Sequence, residues 1–537
     1  MTKKIVALLL ALVLVFAMTA CAKTETPAPS ASTATDAPAA ETPDEPVADA
    51  AAADEPATFD EIVTLKYYWC ANQDTSVRPQ VEAAINEHIE PLIGADVEFT
   101  LISWGDWDNK ALTALQSGEN IDIFFTADWK SYVRSVTMNL FTPLNDDNGE
   151  NGNLLETYGQ GILSTLNPSF ITGTQYDGVN YAVPTNKELC VPMGFIYNVD
   201  AANEVGMDPS TITELADFEP YMAAFKELHP DQYPYLNDGS WGDEPWVPAA
   251  VSNLNSNLIT QKIECDENGV FDETWYSVWE TEENKEHVEL MYKWFQLGYI
   301  HPDSPLSTFD VGTSPEFAAG QFLFISAPLK GSNIKGNELV IASGNLDLNV
   351  GEIYGQGKYC VTTHAGGSML AIPVTAEHPV QAMQYINLMH TDSTLVDMML
   401  FGVPEEMWTL ADDGRVEVLD SQWYGSHGGA WTIGNTAIQN VTTNEDPEKN
   451  QLLQDYSADA IPHPTLGFRY VCPPELESQW AAVNNVQDAM NRSLLTGVVD
   501  PSTALPQYVA DLKAAGLGDI KADVERAYAE WKAAKGE

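Results

Sequence analysis

The sequence has few basic residues for its length. Only 25 Lys and Arg stand against 78 Asp and Glu, which gives a formal net charge of −53 at pH 7. A field of that sign repels nucleic acid, so we exclude nucleic-acid binding. Two explanations of the acidity stay open: solubility with rejection of anionic solutes outside a binding site, or adaptation to the medium of the host.

Catalytic and metal-binding signatures are also missing. The nine His are scattered, with no H-E-x-x-H or other metal-spaced pair, and neither a Walker A nor a G-x-G-x-x-G stretch occurs. The segments around Ser368 and Ser426 fall short of the G-x-S-x-G turn of an acyl-transfer nucleophile. Paired carboxylates could be chosen anywhere in so acidic a chain, so they carry no signal for a glycosidase. We therefore predict that the protein is not an enzyme and uses no cofactor or metal.

Cysteine is sparse, and its spacing excludes a zinc ribbon or a redox motif. No C-x-x-C occurs among the six cysteines. With Cys21 set aside, the number that remains is odd, so at most two disulfides could form, and the sequence does not choose among the pairings. We expect buried single thiols instead. The positions concerned are Cys70, Cys190, Cys265, Cys360 and Cys472.

Long apolar runs are absent after the first twenty residues. Residues 5–17 are continuously apolar, but as a helix they would rise only about 20 Å, less than the roughly 30 Å of a bilayer core. Lys3 and Lys4 precede this run and small residues follow it, which is typical of a secretory signal at residues 1–20.

The end of this signal, Met18-Thr19-Ala20-Cys21, resembles the bacterial lipobox. The resemblance implies that Cys21 is lipidated and becomes the new N-terminus. Its acyl chains would hold an exported protein at the outer face of the bacterial cell membrane. The alternative is an ordinary cleaved signal followed by a chance cysteine.

Residues 21–61 are almost entirely Ala, Pro, Thr, Ser and acidic residues, so we predict a disordered acidic tether.

The folded part begins with alternating strand and helix patterns. Strand patterns at residues 64–69, 96–102 and 121–125 are separated by helical patterns at 79–93 and 107–116. This β-α-β-α-β order predicts an α/β fold with a mostly parallel sheet that is covered by helices. Ligands of such sheets bind beyond the carboxyl ends of the strands, so we expect a binding site there.

Five segments resemble, in the same order, stretches of the family 1 extracellular solute-binding proteins of ABC importers. They are LQSGENIDIF at 115–124, GVNYAVP at 178–184, FIYNVD at 195–200, EFAAGQ at 316–321, and AIPV at 371–374 with HPVQAMQYI at 378–386. Residues 401–417 and 482–531 resemble lipoproteins of the oligosaccharide-importer branch, which end in a domain of unknown function. The resemblance covers about residues 62–537.

The resemblance implies an α/β, two-lobe, periplasmic-binding-protein-like fold (type II), with discontinuous lobes joined by a hinge. Lobe one is expected at residues 62–187 and 340–395. Lobe two is expected at 188–339 and 396–537, including a C-terminal helical extension. The chain would cross between them near 187–188, near 340 and near 391.

The same resemblance implies a function. The protein would be the extracellular substrate-binding component of an ABC transporter, would close about its hinge on a sugar or oligosaccharide, and would deliver it to the permease. We expect a monomer whose partners are that solute, the permease subunits and, through its lipid, the bilayer.

Tryptophan and carboxylate side chains are the candidates for contact with such a ligand. A ring face stacks on the C–H groups of a sugar, and a carboxylate accepts hydrogen bonds from its hydroxyls. The candidates follow predicted strands or lie in Gly- and Pro-rich loops, and Glu188 lies at the first crossing, where resembling sugar binders place a carboxylate. The candidate ligand-binding residues are Trp69, Asp74, Asp128, Trp129, Glu188, Trp241, Glu244, Trp246, Lys330, Trp408 and Trp431.

Each candidate has a structural alternative. A Trp can pack in a core, Lys330 can be solvated, and the loop that holds Trp423, His427 and Trp431 can pack on its own rings. The ligand class stays open as well, because the same fold could bind a peptide or a substituted uronic sugar. A secreted glycan-active enzyme or a surface adhesin is the remaining alternative.

Overall fold

The computed structural model describes residues 59, 61–190, 193–237, 239, 258–306, 314–329, 345, 348–354, 359–445 and 447–536. All of them belong to one unit of the chain, Pro56–Glu537. The predicted signal peptide, Cys21 and the tether up to residue 58 lie outside the described residues. None of the helices in the described ranges has the length and apolar content needed to cross a membrane.

Fifteen strands occur in the described residues, numbered here in chain order. They are β1 (Val63–Ala71), β2 (Ala95–Ser103), β3 (Ile123–Thr126), β4 (Gln175–Tyr176), β5 (Val179–Asn180), β6 (Ala182–Pro184), β7 (Met193–Asn198), β8 (Tyr235–Leu236), β9 (Phe324–Pro328), β10 (Val350–Tyr354), β11 (Tyr359–Cys360), β12 (Met369–Ala371), β13 (Trp408–Leu410), β14 (Val416–Val418) and β15 (Ile461–Pro462).

The helices of the same ranges are mostly short in the first half of the chain and long at its end. The α-helices are Arg78–Ile93, Trp107–Gln116, Tyr132–Thr137, Leu154–Tyr158, Gln160–Thr165, Pro168–Gly173, Val199–Glu204, Glu219–Leu228, Glu282–Gln296, Pro315–Ala318, Thr362–Ala365, Pro379–Thr391, Ser393–Phe401, Lys449–Ala458, Glu477–Leu495, Pro501–Ala515 and Leu517–Lys535. Short 3-10 helices occupy Pro209–Thr211, Leu215–Phe218, Val278–Glu280 and Ala430–Thr432.

The first sheet has the strand order β2-β1-β3-β12-β6. β1 is parallel to β2 and to β3, with Tyr67 opposite Phe99 on one side and opposite Ile123 on the other. β12 is antiparallel to both β3 and β6, so β6 runs in the same direction as β1, β2 and β3. The carboxyl ends of these four strands therefore meet at one edge of the sheet, which we call the carboxyl edge. The predicted β-α-β-α-β start and its parallel pairing are confirmed.

Local sequence explains the first helix, Arg78–Ile93. Pro79 lies in its first turn, where the missing N–H costs no hydrogen bond, and Gly94 ends the helix in the left-handed conformation with φ at 64°. Its buried residues recur every four positions and pack on the side of β2. They are Val81, Ile85, Ile89 and Ile93.

The second sheet has the order β10-β7-β9-β8 and packs on a core of its own. β7 is antiparallel to β9 and β10, while β8 is parallel to β9. In the core, Phe218 and Phe324 stack with ring centroids 3.8 Å apart, and Phe195 meets Phe324 edge-on. The chain passes from the first sheet to the second between β6 and β7, and the crossing predicted at 187–188 lies within this stretch.

Two predicted lobe boundaries need correction. β10 pairs with β7 along its whole length, so residues 350–354 belong to the second sheet, and the chain returns to the first sheet after Tyr354 rather than near 340. The helix Ser393–Phe401 and buried residues between 407 and 433 pack in the core of the first sheet. Residues 396–433 therefore do not belong to lobe two, because their apolar side chains are buried against lobe one.

The C-terminal helices form a third core. Glu477–Leu495, Pro501–Ala515 and Leu517–Lys535 pack with residues from 258 to 288, and Trp279 meets Tyr508 edge-on at 4.9 Å. The five cysteines of the described residues form no disulfide with one another, and three of them are buried, whereas Cys265 and Cys472 are only half-buried.

Candidate ligand-binding site

Three tryptophan rings come together at the carboxyl edge of the first sheet. Trp104 follows β2, Trp129 follows β3, and Trp431 lies in the 3-10 turn Ala430–Thr432. Trp104 and Trp431 stack, with ring centroids 5.5 Å apart and planes inclined by 12°. Trp129 lies 5.8 Å from Trp104 and 6.3 Å from Trp431. We call these three residues the indole cluster.

The indole cluster rests on the core but stays open to solvent. Phe125, a buried residue of β3, meets Trp104 edge-on at 5.8 Å and Trp431 at 6.2 Å. Trp129 is 53% exposed, and the other two rings are half-buried. A flat indole offers an apolar face and a polar N–H, and grouped exposed aromatics mark binding surfaces. The cluster therefore provides a platform on which an apolar ligand face can stack.

Hydrogen bonds fix two of the rings. The indole N–H of Trp104 donates to Asn72 Oδ1 at 3.0 Å, and the amide of Asn72 donates to the carbonyl oxygen of His427 at 3.0 Å. The indole N–H of Trp129 donates to the carbonyl oxygen of Gly367 at 2.8 Å. Because these rings are held before a ligand arrives, stacking on them costs little ordering entropy.

Gly428 allows the backbone to approach Trp104 closely. A Cβ at this position would lie 2.7 Å from Cζ2 of Trp104 and 3.2 Å from the carbonyl oxygen of Cys70. Any other residue would push the ring or the backbone aside. The Gly-rich loop that ends in Trp431 thus depends on this glycine for its contact with Trp104.

Lys130 lies beside the exposed ring of the cluster. Its Nζ is 5.5 Å from the ring centroid of Trp129 and donates to the carbonyl oxygen of Trp104 at 3.4 Å. The same Nζ is 3.1 Å from Oδ2 of Asp108, an exposed carboxylate in the first turn of the helix Trp107–Gln116. The ammonium group is thus held near the ring face with its charge balanced.

Asp128 and Arg469 form a buried ion pair next to Trp129. Nε of Arg469 is 2.8 Å from Oδ1, and Nη2 is 2.9 Å from Oδ2, a bidentate arrangement. Arg469 also donates to the carbonyl oxygen of Gln175 at 2.6 Å, and the backbone N–H of Asp128 donates to Gly366 at 2.8 Å. The C-terminal part of the chain therefore supports the carboxyl edge through this arginine.

Lys187 and Glu188 form a second buried pair at the first crossing. Nζ of Lys187 is 3.4 Å from Oε1 of Glu188. Burial, together with the nearby charge of Lys187, lowers the pKa of His364 to about 4, so this imidazole is neutral at pH 7.

A cavity of about 600 Å³ opens beside the first crossing. Nδ2 of Asn186 donates to Oδ1 of Asn435 at 2.9 Å and fixes one wall. No indole of the cluster is among its described lining residues, and its wall combines polar side chains with apolar ones that include Phe170 and Ile438. The polar residues that line it are Thr165, Asn167, Asn186, Lys187, Asn435, Thr436, Gln451, Gln454, Asp455 and Ser457.

The structure brings together two of the predicted candidates, Trp129 and Trp431, and moves two others into the core. Trp69 is fully buried, stacks on His427 at 5.1 Å and donates to Thr432 Oγ1 at 2.9 Å. Trp408 is buried and donates to the carbonyl oxygen of Gly402 at 2.9 Å. Neither indole presents a face to solvent, so we remove both from the candidate contacts.

The predicted carboxylates are already engaged by the protein. Asp128 is paired with Arg469 and Glu188 with Lys187, both in buried positions. Asp74 lies at the surface, where its carboxylate accepts from Nε of Arg78 at 3.0 Å. These three carboxylates already accept hydrogen bonds from the chain, and their contact with ligand hydroxyls stays a prediction. Trp241, Glu244, Trp246 and Lys330 lie outside the described residues.

Trp104 is the functional residue that the sequence reasoning missed. It directly follows the strand pattern of residues 96–102, just as Trp129 follows the pattern of 121–125. The rule that selected Trp129 would have selected Trp104. Lys130 and Asp108 gave no comparable signal, because their pairing depends on how the turn after β3 packs against the start of the helix Trp107–Gln116.

A family model described as "bacterial extracellular solute-binding protein" matches residues 88–402. The chain belongs to this family. A second family model, described as a "domain of unknown function (DUF3502)", matches residues 464–533. The second match includes Arg469, so the domain of unknown function supplies the arginine that pairs with Asp128. The predicted family and its C-terminal domain are confirmed.

Relatives and solved structures agree with this membership. A "carbohydrate ABC transporter substrate-binding protein" of Streptococcus pneumoniae serotype 4 is 25% identical over 454 residues, which cover 84% of this chain and 87% of the relative. The N-glycan transport solute binding protein NgtS from Streptococcus pneumoniae has a TM-score of 0.74 at 23% identity and covers 87% of this chain and 98% of its own. The alginate-binding protein AlgQ2 has a TM-score of 0.58 at 15% identity, with 88% and 98% covered. These likenesses confirm the two-lobe α/β fold (type II) of the solute-binding proteins.

Proposed function

We propose that this solute-binding protein is the extracellular component of an ABC importer and that it captures a sugar or oligosaccharide. The indole cluster carries the proposal, because it exposes fixed aromatic rings at the edge where ligands of such sheets bind. The name of the pneumococcal relative supports the carbohydrate class. So do the solved complexes of NgtS with Man1GlcNAc and with Man5GlcNAc.

The chemistry of a pyranose suits this surface. Its C–H faces can cover the ring of Trp129, and covering roughly 60 Å² of ring would contribute about 1.5 kcal/mol. Lys130 and Asp108, beside the ring, offer a donor and an acceptor for hydroxyl groups. Stacking and charge-assisted hydrogen bonds together would orient the sugar without any bond being broken.

We propose that capture works by closure of one lobe on the other. The chain joins the two sheets between β6 and β7 and again between β10 and β12, and such crossing segments are where hinges form. The permease would recognise the closed form, which ligand makes dominant by binding it more tightly. The protein would act as a monomer.

Export and anchoring complete the proposal. Residues 1–20 would direct secretion, and Cys21 would carry the lipid that holds the protein at the outer face of the cell membrane. The acidic tether would let the folded part reach the permease subunits. The protein would bind and release its solute without catalysis. The part of the chain that the structure describes holds no cluster of metal-ligating side chains.

A thermal-shift panel tests the ligand class. The purified protein is heated with neutral oligosaccharides built from mannose, glucose, galactose or N-acetylglucosamine, and in parallel with peptides of two to six residues. A ligand at 100 times its Kd stabilises the folded state by about 2.7 kcal/mol, so a true ligand raises Tm by a clear margin. We expect at least one oligosaccharide to raise Tm and no peptide to do so. A Tm that rises with peptides and with no saccharide would overturn the carbohydrate proposal.

A further inference from the structure

We infer that the indole cluster selects uncharged saccharides and rejects those that carry carboxylate groups. The inference rests on the proposed function, because it concerns the ligand of the same site. The fold leaves the question open, since neighbours of this fold include both an N-glycan transport protein and an alginate-binding protein. The choice between neutral and carboxylate-bearing saccharides must therefore be argued from the charges of this chain.

The cation closest to the exposed ring is already neutralised. Nζ of Lys130, 5.5 Å from the ring centroid of Trp129, reaches Oδ2 of Asp108 at 3.1 Å. A uronic carboxylate stacked beside this ring would compete with Asp108 for the ammonium and would lie close to a like charge. Such a juxtaposition weakens binding, because like charges repel and neither is fully paired.

Among the described residues, two more cations near the carboxyl edge are paired with carboxylates of the chain. Arg469 is held by both oxygens of Asp128, and Lys187 is 3.4 Å from Glu188. Both pairs are buried, so a ligand carboxylate would have to displace a protein carboxylate that is already desolvated. His364, the imidazole next to Lys187, is neutral at pH 7 and adds no positive charge.

Two cations farther along the same edge, Lys110 and Arg78, are also paired with carboxylates of the chain. Nζ of Lys110 is 2.9 Å from Asp106, and Nε of Arg78 is 3.0 Å from Asp74. The chain as a whole carries a net charge of −53, so its long-range field also disfavours anionic solutes. Hydroxyl and acetamido groups carry no charge and meet none of these penalties.

The first test compares matched ligands. Each neutral oligosaccharide of the thermal-shift panel that binds is titrated calorimetrically against its counterpart in which the C6 hydroxymethyl groups are oxidised to carboxylates. Chain length and linkage are the same, so the two ligands differ only at C6, where a carboxylate replaces the hydroxymethyl group. We expect the neutral member to bind at least tenfold more tightly at 0.15 M salt. Equal or tighter binding of the oxidised member would overturn the inference.

A pair of variants tests the role of Asp108. Asp108→Asn leaves Lys130 without its carboxylate, whereas Asp106→Asn changes the net charge equally but frees Lys110, which is paired four residues along the helix. We expect Asp108→Asn to raise the affinity for the oxidised ligand relative to the neutral one by about fivefold, and Asp106→Asn to change that ratio less than twofold. Equal ratios in the two variants would contradict the assignment.

The outcomes separate this inference from the proposed function. If no saccharide of either kind binds, the proposed function fails and the inference fails with it. If the oxidised ligand binds as tightly as the neutral one and Trp129→Ala weakens its binding about tenfold, the indole cluster is a saccharide site. In that case only the charge selectivity is wrong.

Discussion

Two groups of aromatic rings in lobe one differ in how much of their surface is exposed to solvent. Trp69, Trp423 and His427 contact one another inside the core and have almost no exposed surface. The indole cluster, in contrast, presents Trp129 to solvent. The same Gly-rich segment supplies Trp423 and His427 to the first group and Trp431 to the second. Both groups are built of aromatic rings, two Trp and one His in the first and three Trp in the second, and their exposure distinguishes a part of the fold from a candidate binding surface.

Removing a ring of the buried group should have the largest effect on stability. Trp69→Ala leaves a cavity in the core and removes the indole N–H that donates to the Thr432 hydroxyl, and we expect the free energy of unfolding to fall by about 3–5 kcal/mol. Urea denaturation measures this loss. Trp480→Ala, in the C-terminal helix Glu477–Leu495, removes a half-buried ring as a control and should cost less. A loss below about 1 kcal/mol for Trp69→Ala would show that this ring is not part of the core.

The buried ion pair under the exposed group gives the next prediction. Arg469→Met leaves Asp128 uncompensated, and we expect a loss of about 3–5 kcal/mol at pH 7, with part of it regained in the double variant Asp128→Leu/Arg469→Met. Burial raises the pKa of Asp128, and Arg469 opposes that rise.

In Arg469→Met the folded-state pKa of Asp128 should rise further above its unfolded value. Stability then falls as pH rises between those two values, so the penalty should shrink at low pH. Denaturation of this variant at pH 4 and pH 7 measures the difference. A loss that is larger at pH 4 would contradict the predicted sign.

Gly428→Ala tests whether the exposed group depends on close packing between the Gly-rich loop and the ring of Trp104. The added Cβ would lie 2.7 Å from the ring of Trp104, and we expect about 1–3 kcal/mol of destabilisation together with weaker saccharide binding. Gly425→Ala is the matched control, since a Cβ there would meet only the carbonyl oxygen of Ser421 at 3.3 Å. Calorimetric titration and urea denaturation of both variants decide whether close packing at 428 matters.

The sequence predicted the start of the fold because its signals are local. Helical spacing delimited the helix Trp107–Gln116 to the residue, and three strand patterns fell on β1, β2 and β3. The pairing of β10 with β7 was beyond reach, because antiparallel partners far apart in sequence leave no periodic trace. The packing of residues 407–433 under the first sheet was missed for the same reason.

Position after a strand identified residues of the candidate site, but the sequence did not show which of the aromatic rings are exposed. Trp129 was chosen because it follows a strand, and Trp104 satisfied the same rule without being chosen. Trp69 also satisfied it, yet the stacked His427 covers this ring. Which indole is covered depends on a loop more than 300 residues away in sequence, as the bond from Trp69 to Thr432 illustrates. Asp128 could not be distinguished from a ligand-binding carboxylate until Arg469 was placed beside it.

The affinity of Trp129→Ala for a neutral oligosaccharide tests most directly whether the indole cluster is the binding platform. Wild type, Trp129→Ala and Trp480→Ala are titrated calorimetrically with the saccharide that gives the largest thermal shift. Loss of one stacked ring, at about 1.5 kcal/mol, predicts roughly tenfold weaker binding for Trp129→Ala, with unfolding free energy within about 1 kcal/mol of wild type and Trp480→Ala unaffected in affinity. Unchanged saccharide affinity in a folded Trp129→Ala would contradict the assignment of the indole cluster as the ligand-binding surface.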